Sequence, residues 1–298
     1  MDEQYKQNFI KAGAIAGQAR SFGKSLIKPG ASYNNILSQI NQKIIDLGGR
    51  AAFPPQMALN HIAAHFLPEP DKDITLTNQV IKLDVGVCYH GAIGDCAVTV
   101  DLSGQYENLI TAAEQALLAA EQIIEVGTPL RNIGKVIEDT IAAYKFSSVK
   151  NLSGHGLGYY KIHTDPNIPN YDNKSNITLK KGMTFAIEPF ASTGKGFIRE
   201  EGTPSIFSFI KMKPIQSPNA LLILKKIAPF AGLPFAIHHL TQAGIPLIDV
   251  KNGLRELLRA GIIEGYAPLI EENHTMVAQA ENSVLIDNNG KVFITTRI

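Results

Sequence analysis

Two aspartates, Asp84 and Asp95, lie eleven residues apart in a segment with two β-rich arms around a Tyr-His-Gly-Ala centre. In a hairpin whose loop has an even number of residues, positions eleven apart fall on one face, one diagonal step from each other. Two carboxylates this close repel each other unless a proton or a cation lies between them. A divalent metal meets that need. The hairpin alone is equally compatible with one aspartate in a turn and the other in a salt bridge.

Three further residues favour the metal. His155 lies in SGHGLG, where glycines on both sides allow a close approach of the backbone and leave the imidazole uncovered. Glu188 lies in FAIEPF, a predicted strand with this glutamate in its middle, and Glu281 lies inside the apolar run VAQAENSVLI. Buried carboxylates need partners, and few basic residues are near in sequence. Four carboxylates and a histidine are the ligand set of a two-metal hydrolytic site.

The elements that must position these residues occur in a repeated order. Apolar spacing predicts a helix over 2–27 and a second one with Ser32 as its N-cap. A later pair comprises a helix over 106–125 and one capped by Thr128 that runs to about Phe146. Each pair is followed by β-rich segments that carry the polar residues. This order predicts an α+β protein with two pseudo-symmetric halves that face each other across a cleft.

The sequence between Glu188 and Glu281 has a different character, with helix-forming segments interrupted by Pro and Gly. We predict a catalytic domain of residues 1–212 and 273–298, and an inserted helical, winged-helix-like subdomain of residues 213–272. The C-terminal stretch returns to β character, and its DNNG sequence predicts a turn between two strands.

Composition and net charge limit the classes of function that this protein can have. Apolar residues make up 45% and charged residues 18% of the 298 residues, which is typical of a globular protein. The net charge of +1 gives no support for nucleic acid or a membrane as partner. Lys251, Arg255 and Arg259 recur at helical spacing in a segment resembling a helix-turn-helix, and a solvated helix face accounts for them. Cys88 and Cys96 are predicted to be free thiols.

Location is predicted from what the sequence lacks. No apolar run approaches the ~20 residues of a membrane helix. The opening sequence MDEQYKQNFIKAG is polar and is not typical of a signal peptide. We therefore expect a cytoplasmic protein.

The order and surroundings of the five predicted ligands resemble the methionine aminopeptidases, within the pita-bread fold that these enzymes share with prolidase and aminopeptidase P. The resemblance extends over nearly the whole chain. It is carried by the segments FPPQMALNHIAAHFLP, KLDVGVCYHGAIGDCAVTV, NLSGHGLGYYKIH, FAIEPFASTGKG and YAPLIEENHTMVAQAENSVLI. The insertion, and the spacing of His155 and His163, which are eight positions apart, resemble the type II branch in its shorter archaeal form.

The resemblance implies a role for each ligand. Asp95 and Glu281 would bridge two divalent ions, Asp84 would hold one ion, and His155 with Glu188 would hold the other. A hydroxide between the ions would attack the scissile carbonyl, and Glu188 would take and deliver its proton. Carboxylates with one histidine suit Co, Mn, Fe or Zn, and metal availability decides among them.

The resemblance also implies residues that contact substrate. His163 matches a histidine beside the scissile carbonyl, and His65 matches a second one beside the scissile peptide and the substrate's N-terminus. An apolar slot for a methionine side chain would be formed by Phe53, Ile162, Phe190, Tyr266 and Leu269. Some relatives have a further histidine near the position of Ile206, so that wall should be more apolar here. The remaining histidines match no role: His61, His90, His238, His239 and His274.

The sequence therefore predicts an aminopeptidase that removes the initiator methionine from nascent proteins when the second residue is small. Nascent N-termini are the expected partners, with a transient ribosome contact and a monomeric state. One alternative is an X-Pro aminopeptidase or dipeptidase, whose relatives typically have a large domain before the pita-bread part, whereas here the first helix starts with the chain. The other alternative is a non-catalytic binding protein of this fold, and such relatives have lost metal ligands.

Overall fold

A computed structural model describes residues 1–272 and 275–298. The prediction for His274 and the predicted domain boundary at 273 lie outside the described residues. The helices of the described part are α1 Glu3–Leu26, α2 Tyr33–Asp46, α3 Glu107–Gln122, α4 Leu130–Ala143, α5 Pro218–Ile227, α6 Ile237–Gln242 and α7 Leu247–Ala260.

Groups of strands lie between and after these helices. They are β1 Arg50–Ala51, β2 Gln56–Leu59, β3 Ile62–Ala64, β4 Val80–Tyr89, β5 Ala92–Asp101, β6 Ser147–Ser148, β7 Ser153–Gly158, β8 Lys161–Pro169, β9 Thr184–Ile187, β10 Phe190–Ser192, β11 Ile198–Glu200, β12 Ile206–Phe209, β13 Phe235–Ala236, β14 Ile263–Tyr266, β15 Leu269–Glu271, β16 Val277–Gln279, β17 Asn282–Ile286 and β18 Val292–Ile294.

The first half consists of α1, α2 and a sheet built on the long hairpin β4–β5. β4 pairs with β5 along its whole length, while β1 and β2 pair with it on the other side. The N-caps are local: the Asp2 side chain accepts from the Tyr5 amide, and the Ser32 hydroxyl accepts from the Asn35 amide, as predicted for Ser32. A core that includes Ile15, from α1, packs the two helices onto this sheet.

The second half repeats this arrangement with α3 and α4. Its sheet has the strand order β18-β17-β9-β7-β8, and the two helices share an apolar core with β9 and β17. The predicted cap Thr128 is wrong. The N-cap of α4 is Pro129, and the Thr128 hydroxyl instead donates to the Ile123 carbonyl at 3.0 Å. The predicted turn at DNNG is confirmed, because β17 and β18 pair on either side of it.

The two halves are joined at the backbone beside β5. The amide of Glu281 donates to the carbonyl of Ala97 at 3.2 Å, and the Ala97 amide donates back at 3.4 Å. Helix α1 also contacts β4, β5 and β17. Strands from both halves therefore converge on one line, and the polar residues of the predicted site lie along it.

Helices α5, α6 and α7 pack on the sheet β13-β12-β14 and have an apolar core of their own. β12, at Ile206–Phe209, and β14, at Ile263–Tyr266, are antiparallel partners, and they lead into and out of the helical part. β15 then pairs with β3 and β11. Within the described residues, no helix is long and apolar enough to cross a bilayer.

Candidate active site

A cavity of about 260 Å³ is lined by both halves of the molecule. The structure brings every predicted site residue to the wall of this cavity. They are Phe53, His65, Asp84, Asp95, His155, Ile162, His163, Glu188, Phe190, Tyr266, Leu269 and Glu281.

The hairpin places Asp84 and Asp95 on one face, as predicted. Asp84 lies opposite Ala97 and Asp95 lies opposite Gly86, so the two aspartates are diagonal neighbours across β4 and β5. Asp95 is held at its backbone by Ser283 of β17, whose hydroxyl accepts from the Asp95 amide at 2.7 Å and donates to its carbonyl at 2.8 Å. Ser283 thus attaches the strand of Asp95, and with it the Asp84–Asp95 pair, to the second half of the molecule.

His155 lies in β7 between two glycines that permit unusually close strand contacts. A Cβ atom at Gly154 would lie 2.3 Å from the Ala186 carbonyl oxygen, and one at Gly156 would lie 2.2 Å from that of Asp165. Only glycine fits at these two positions without a backbone shift. The glycines thereby set the depth at which the histidine enters the cavity, where it is buried.

The imidazole of His155 faces the carboxylates. Its Nδ1 lies 3.4 Å from the Gly156 carbonyl oxygen, and its Nε2 lies 3.6 Å from Glu188 Oε1 and 3.9 Å from Asp95 Oδ2. Potential ligand atoms of Asp95, His155 and Glu281 all lie within 4.8 Å of one another. A divalent cation could be bound at their centre.

The prediction that Glu188 lies in the middle of a strand is wrong, and Glu281 also lies outside the strands. Glu188 follows the end of β9 and precedes β10, and Glu281 lies between β16 and β17. At this break the Ala280 amide donates to the carbonyl of Pro189 at 3.2 Å, while the Glu281 backbone pairs with β5. The chain changes its pairing partner here. Since both flanks are buried, the apolar pattern of the sequence continues through the break.

The donor set fits divalent cations. Burial raises the pKa of Asp84 to about 7. Burial, followed by the charges of neighbouring carboxylates, raises the pKa values of Asp95, Glu188 and Glu281 well above their usual range. Asp84 Oδ1 and Asp95 Oδ1 are buried without a hydrogen-bond partner among the described residues. None of the described residues lining the cavity is a lysine or an arginine. The negative charge therefore lacks a counter-charge that a metal would supply.

The metal-free protein is expected to lose stability as the pH rises above about 6.5. The four raised carboxyl pKa values stabilise the fold at low pH, and this contribution is lost as the pH rises through them. The depressed pKa values of His65 and His155 act oppositely, but only below about pH 6.5. Melting temperatures of EDTA-treated and Mn²⁺-loaded protein should diverge as the pH rises above about 6.5, and parallel curves would contradict this expectation.

Two histidines lie outside the carboxylate group. The ring of His163 meets that of His155 edge-on with centroids 4.4 Å apart, and the ring of His65 lies 5.3 Å from that of Tyr266. Burial lowers the pKa of His65 to about 4 and also lowers that of His163, although part of the His163 side chain is exposed. Both are therefore neutral near pH 7, and each can donate one N–H to a substrate oxygen.

An apolar wall lies beside the acidic one. The Phe53 ring occupies space that Gly86 leaves open, since a Cβ atom there would lie 2.1 Å from the ring. Phe190 and Ile162 are buried, and Ile206 also lines the cavity, as expected from the lack of a histidine at its position. The result is an apolar recess next to the carboxylates.

Several polar residues near the site were not predicted. The Arg20 guanidinium donates to the Glu281 carbonyl at 2.8 Å, and the Asn170 amide donates to the Glu188 carbonyl at 3.0 Å. Gln56 and Gln279 line the cavity. Three of these four residues lie far from the ligands they support in the sequence, so the sequence does not point to them. Gln279 is the exception, because it lies two residues before Glu281.

Comparison with known proteins identifies the family. Residues 7–208 match metallopeptidase family M24. A methionine aminopeptidase from Thermococcus onnurineus is 39% identical over 299 aligned residues, which include 99% of this chain and 100% of that protein. The chain belongs to the methionine aminopeptidases of metallopeptidase family M24. A methionine aminopeptidase from Archaeoglobus fulgidus is 37% identical over 99% of this chain and 100% of its own length.

A solved structure agrees on the fold. The methionine aminopeptidase of Thermotoga maritima superposes with a TM-score of 0.71 at 21% identity, over 100% of this chain and 98% of that one. The predicted pita-bread fold, the archaeal-like type II branch and the class of metal-dependent aminopeptidase are therefore confirmed. The X-Pro alternative is not favoured, because the family match to methionine aminopeptidases extends over the whole chain.

Proposed function

We propose that this methionine aminopeptidase uses two divalent ions to remove the N-terminal methionine from nascent proteins and peptides whose second residue is small. The observation that carries this proposal is one cavity with two unlike walls. One wall has four carboxylates and a histidine, with no lysine or arginine among the described lining residues, and the other is an apolar recess. Hydrolysis at a metal pair and binding of a thioether side chain require these two environments side by side.

The proposed ligands are those five residues. Asp95 and Glu281 would be shared by both ions, Asp84 would hold one ion, and His155 with Glu188 would hold the other. When bound, the ions neutralise the carboxylates and activate water as a nucleophile. We propose Co, Mn, Fe or Zn as the metal, since oxygen ligands with one imidazole suit all four.

Glu188 is the proposed proton carrier. Its carboxylate lies 3.6 Å from the His155 ring and accepts a hydrogen bond of 3.2 Å from the Gln279 amide. These contacts fix its orientation beside the reacting atoms. In this role Glu188 takes the proton of the attacking water and delivers it to the leaving amine.

His163 and His65 are the proposed contacts to the scissile peptide. His163 is neutral near pH 7 and would donate a hydrogen bond to the carbonyl oxygen as negative charge develops there. His65 has a left-handed backbone with φ of 60°. This conformation is uncommon for a residue with a side chain. It supports a role in which the position of the ring beside the peptide matters.

Peptide kinetics would test the substrate class. We expect rapid cleavage of Met before Ala, Gly, Ser, Thr or Val, and slow cleavage before large residues. The methionine side chain should gain about 1.5–3 kcal/mol by burial in the recess formed by Phe53, Ile162, Phe190, Tyr266 and Leu269. A charged first residue has no partner there, so Lys should be disfavoured by more than about 100-fold in kcat/KM.

The deciding assay compares Met-Ala-Ser with Lys-Ala-Ser and with Ala-Pro peptides, using chelated protein and a panel of metals. Equal kcat/KM for Met and Lys would rule out the proposed recess. Fast Ala-Pro cleavage with little regard to the first residue would instead support the X-Pro alternative.

The proposed setting is the cytoplasm, where the enzyme would act as a monomer on nascent N-termini during a transient ribosome contact. The proposed domain division keeps residues 1–212 and 273–298 for catalysis and 213–272 as a winged-helix-like subdomain. The separate apolar core around α5 and α7 supports this division.

A further inference from the structure

Two glutamine side chains contact the candidate ligands in the same way from different strands. The Gln56 amide nitrogen donates to Asp84 Oδ2 at 3.1 Å, and the Gln279 amide nitrogen donates to Glu188 Oε2 at 3.2 Å. Both glutamines are buried and line the cavity. In the proposed site, Asp84 and Glu188 are the carboxylates that each serve a single metal.

We infer that Gln56 and Gln279 are positioning residues that set the affinities of the two metal positions separately, Gln56 through Asp84 and Gln279 through Glu188. The inference rests on the two-metal site proposed above. Donors to ligating carboxylates fix the orientation of the ligand, and their loss typically lowers metal affinity by about 10- to 100-fold.

Gln56 is locked at both ends of its amide. It is the cross-strand partner of Asp84 between β2 and β4, and its Oε1 accepts from the Phe66 backbone amide at 3.2 Å. Phe66 directly follows His65, the residue with the left-handed backbone. Because the amide oxygen of Gln56 accepts from Phe66, the amide nitrogen must face Asp84. The same side chain therefore connects a ligand of one metal to the loop of an outer histidine.

Gln279 is locked through its backbone. The Thr99 hydroxyl of β5 donates to the backbone carbonyl of Gln279 at 2.7 Å and accepts from its backbone amide at 2.8 Å. Only 2% of Gln279 is exposed to solvent. Its Oε1 has no hydrogen-bond partner within the described part of the chain. Among the described residues, the hydrogen bond to Glu188 is thus the one polar contact of the Gln279 side chain, and Glu188 is the group through which this side chain acts.

The amide group suits this role because it donates a hydrogen bond and has no net charge. A lysine or an arginine at either position would neutralise the carboxylates and compete with the metal. A further carboxylate would add negative charge to a cavity wall that already has four carboxyl groups. A neutral donor stabilises the ionised carboxylate and leaves the charge balance to the cation.

Titration calorimetry with Mn²⁺ on EDTA-treated protein tests the inference. We expect two ions per wild-type chain, and about 10- to 100-fold weaker binding of one ion in Gln56→Met and of one ion in Gln279→Met. Methionine keeps the volume and removes the hydrogen bond. Gln42→Met is a matched control, because Gln42 donates to Asp46 at 2.8 Å on the exposed face of α2. It should bind both ions as wild type does.

A double-mutant cycle assigns the ions. In an Asp84→Asn background, Gln56→Met should have little further effect, whereas Gln279→Met should keep its full effect. Excess Mn²⁺ should restore much of kcat in each single variant, which would not follow from a merely structural defect. If Gln56→Met does not fold, Gln56→Asn, which withdraws the amide by one methylene, has the same expectation.

The outcomes separate this inference from the function on which it rests. A wild-type chain that binds no second ion contradicts the proposed two-metal site. If wild type binds two ions and both methionine variants bind them equally well, the glutamines do not tune the metals. Equal weakening of both ions in each single variant would overturn their separate action.

Discussion

Replacing Asp95 by Ala is expected to abolish binding of a second metal ion and to lower kcat/KM by more than about 100-fold, beyond the loss typical of an outer hydrogen-bond partner. Asp95 lies diagonally across the hairpin from Asp84 and 3.9 Å from the His155 ring, so its carboxylate has potential ligands on both sides. Metal content after dialysis against Mn²⁺, together with Met-Ala-Ser hydrolysis, checks this result. Full activity in Asp95→Ala would contradict the proposed ligand set.

The same position offers a readout that does not depend on activity. Asp95→Asn keeps the shape and removes a buried charge whose pKa is raised by burial and by Asp84. The metal-free variant should therefore melt at a higher temperature than metal-free wild type above about pH 7, while gaining less from Mn²⁺. A variant less stable than wild type under both conditions would contradict this expectation and would indicate that the Asp95 carboxylate itself stabilises the metal-free fold.

The parts of the fold that the sequence predicts are those governed by local rules. Ser32 caps a helix and DNNG forms a turn, because capping and turn formation depend on neighbouring residues alone. The hairpin with Asp84 and Asp95 on one face also follows from strand periodicity. The prediction for Thr128 is wrong because α4 has Pro129 as its N-cap, and the Thr128 hydroxyl donates to the carbonyl of Ile123 in the preceding turn.

The breaks at Glu188 and Glu281 could not be predicted from periodicity. Both glutamates lie where the chain leaves one strand pairing for another, and the new partner of Glu281 is Ala97, far away in sequence. An apolar run has the same appearance whether it is one strand or two. The residues themselves were found because a carboxylate inside an apolar run is costly, which is independent of the exact strand boundaries.

The supporting residues leave no signal in the sequence for a related reason. Gln56 contacts Asp84 only because of the register of β2 against β4, and Arg20 reaches the Glu281 carbonyl only because α1 packs beside β17. Such contacts depend on tertiary structure and leave no motif. The ligands carry a chemical signal in their residue types, whereas the residues that orient them are ordinary polar side chains until the fold is known.

Replacing His163 by Ala is expected to lower kcat by about 100- to 1,000-fold with little change in metal affinity, the loss typical of one donor to a developing oxyanion. Its ring lies against that of His155, on the side of the cavity that is partly open to solvent. A neutral imidazole there can donate to substrate as charge develops, so the loss should appear in kcat more than in KM. His90→Ala, at the exposed hairpin turn, is the control and should match wild type. Metal titration of the same samples decides the role: if Mn²⁺ binding in His163→Ala falls in parallel with activity, His163 is a metal ligand and the five-residue site is incomplete.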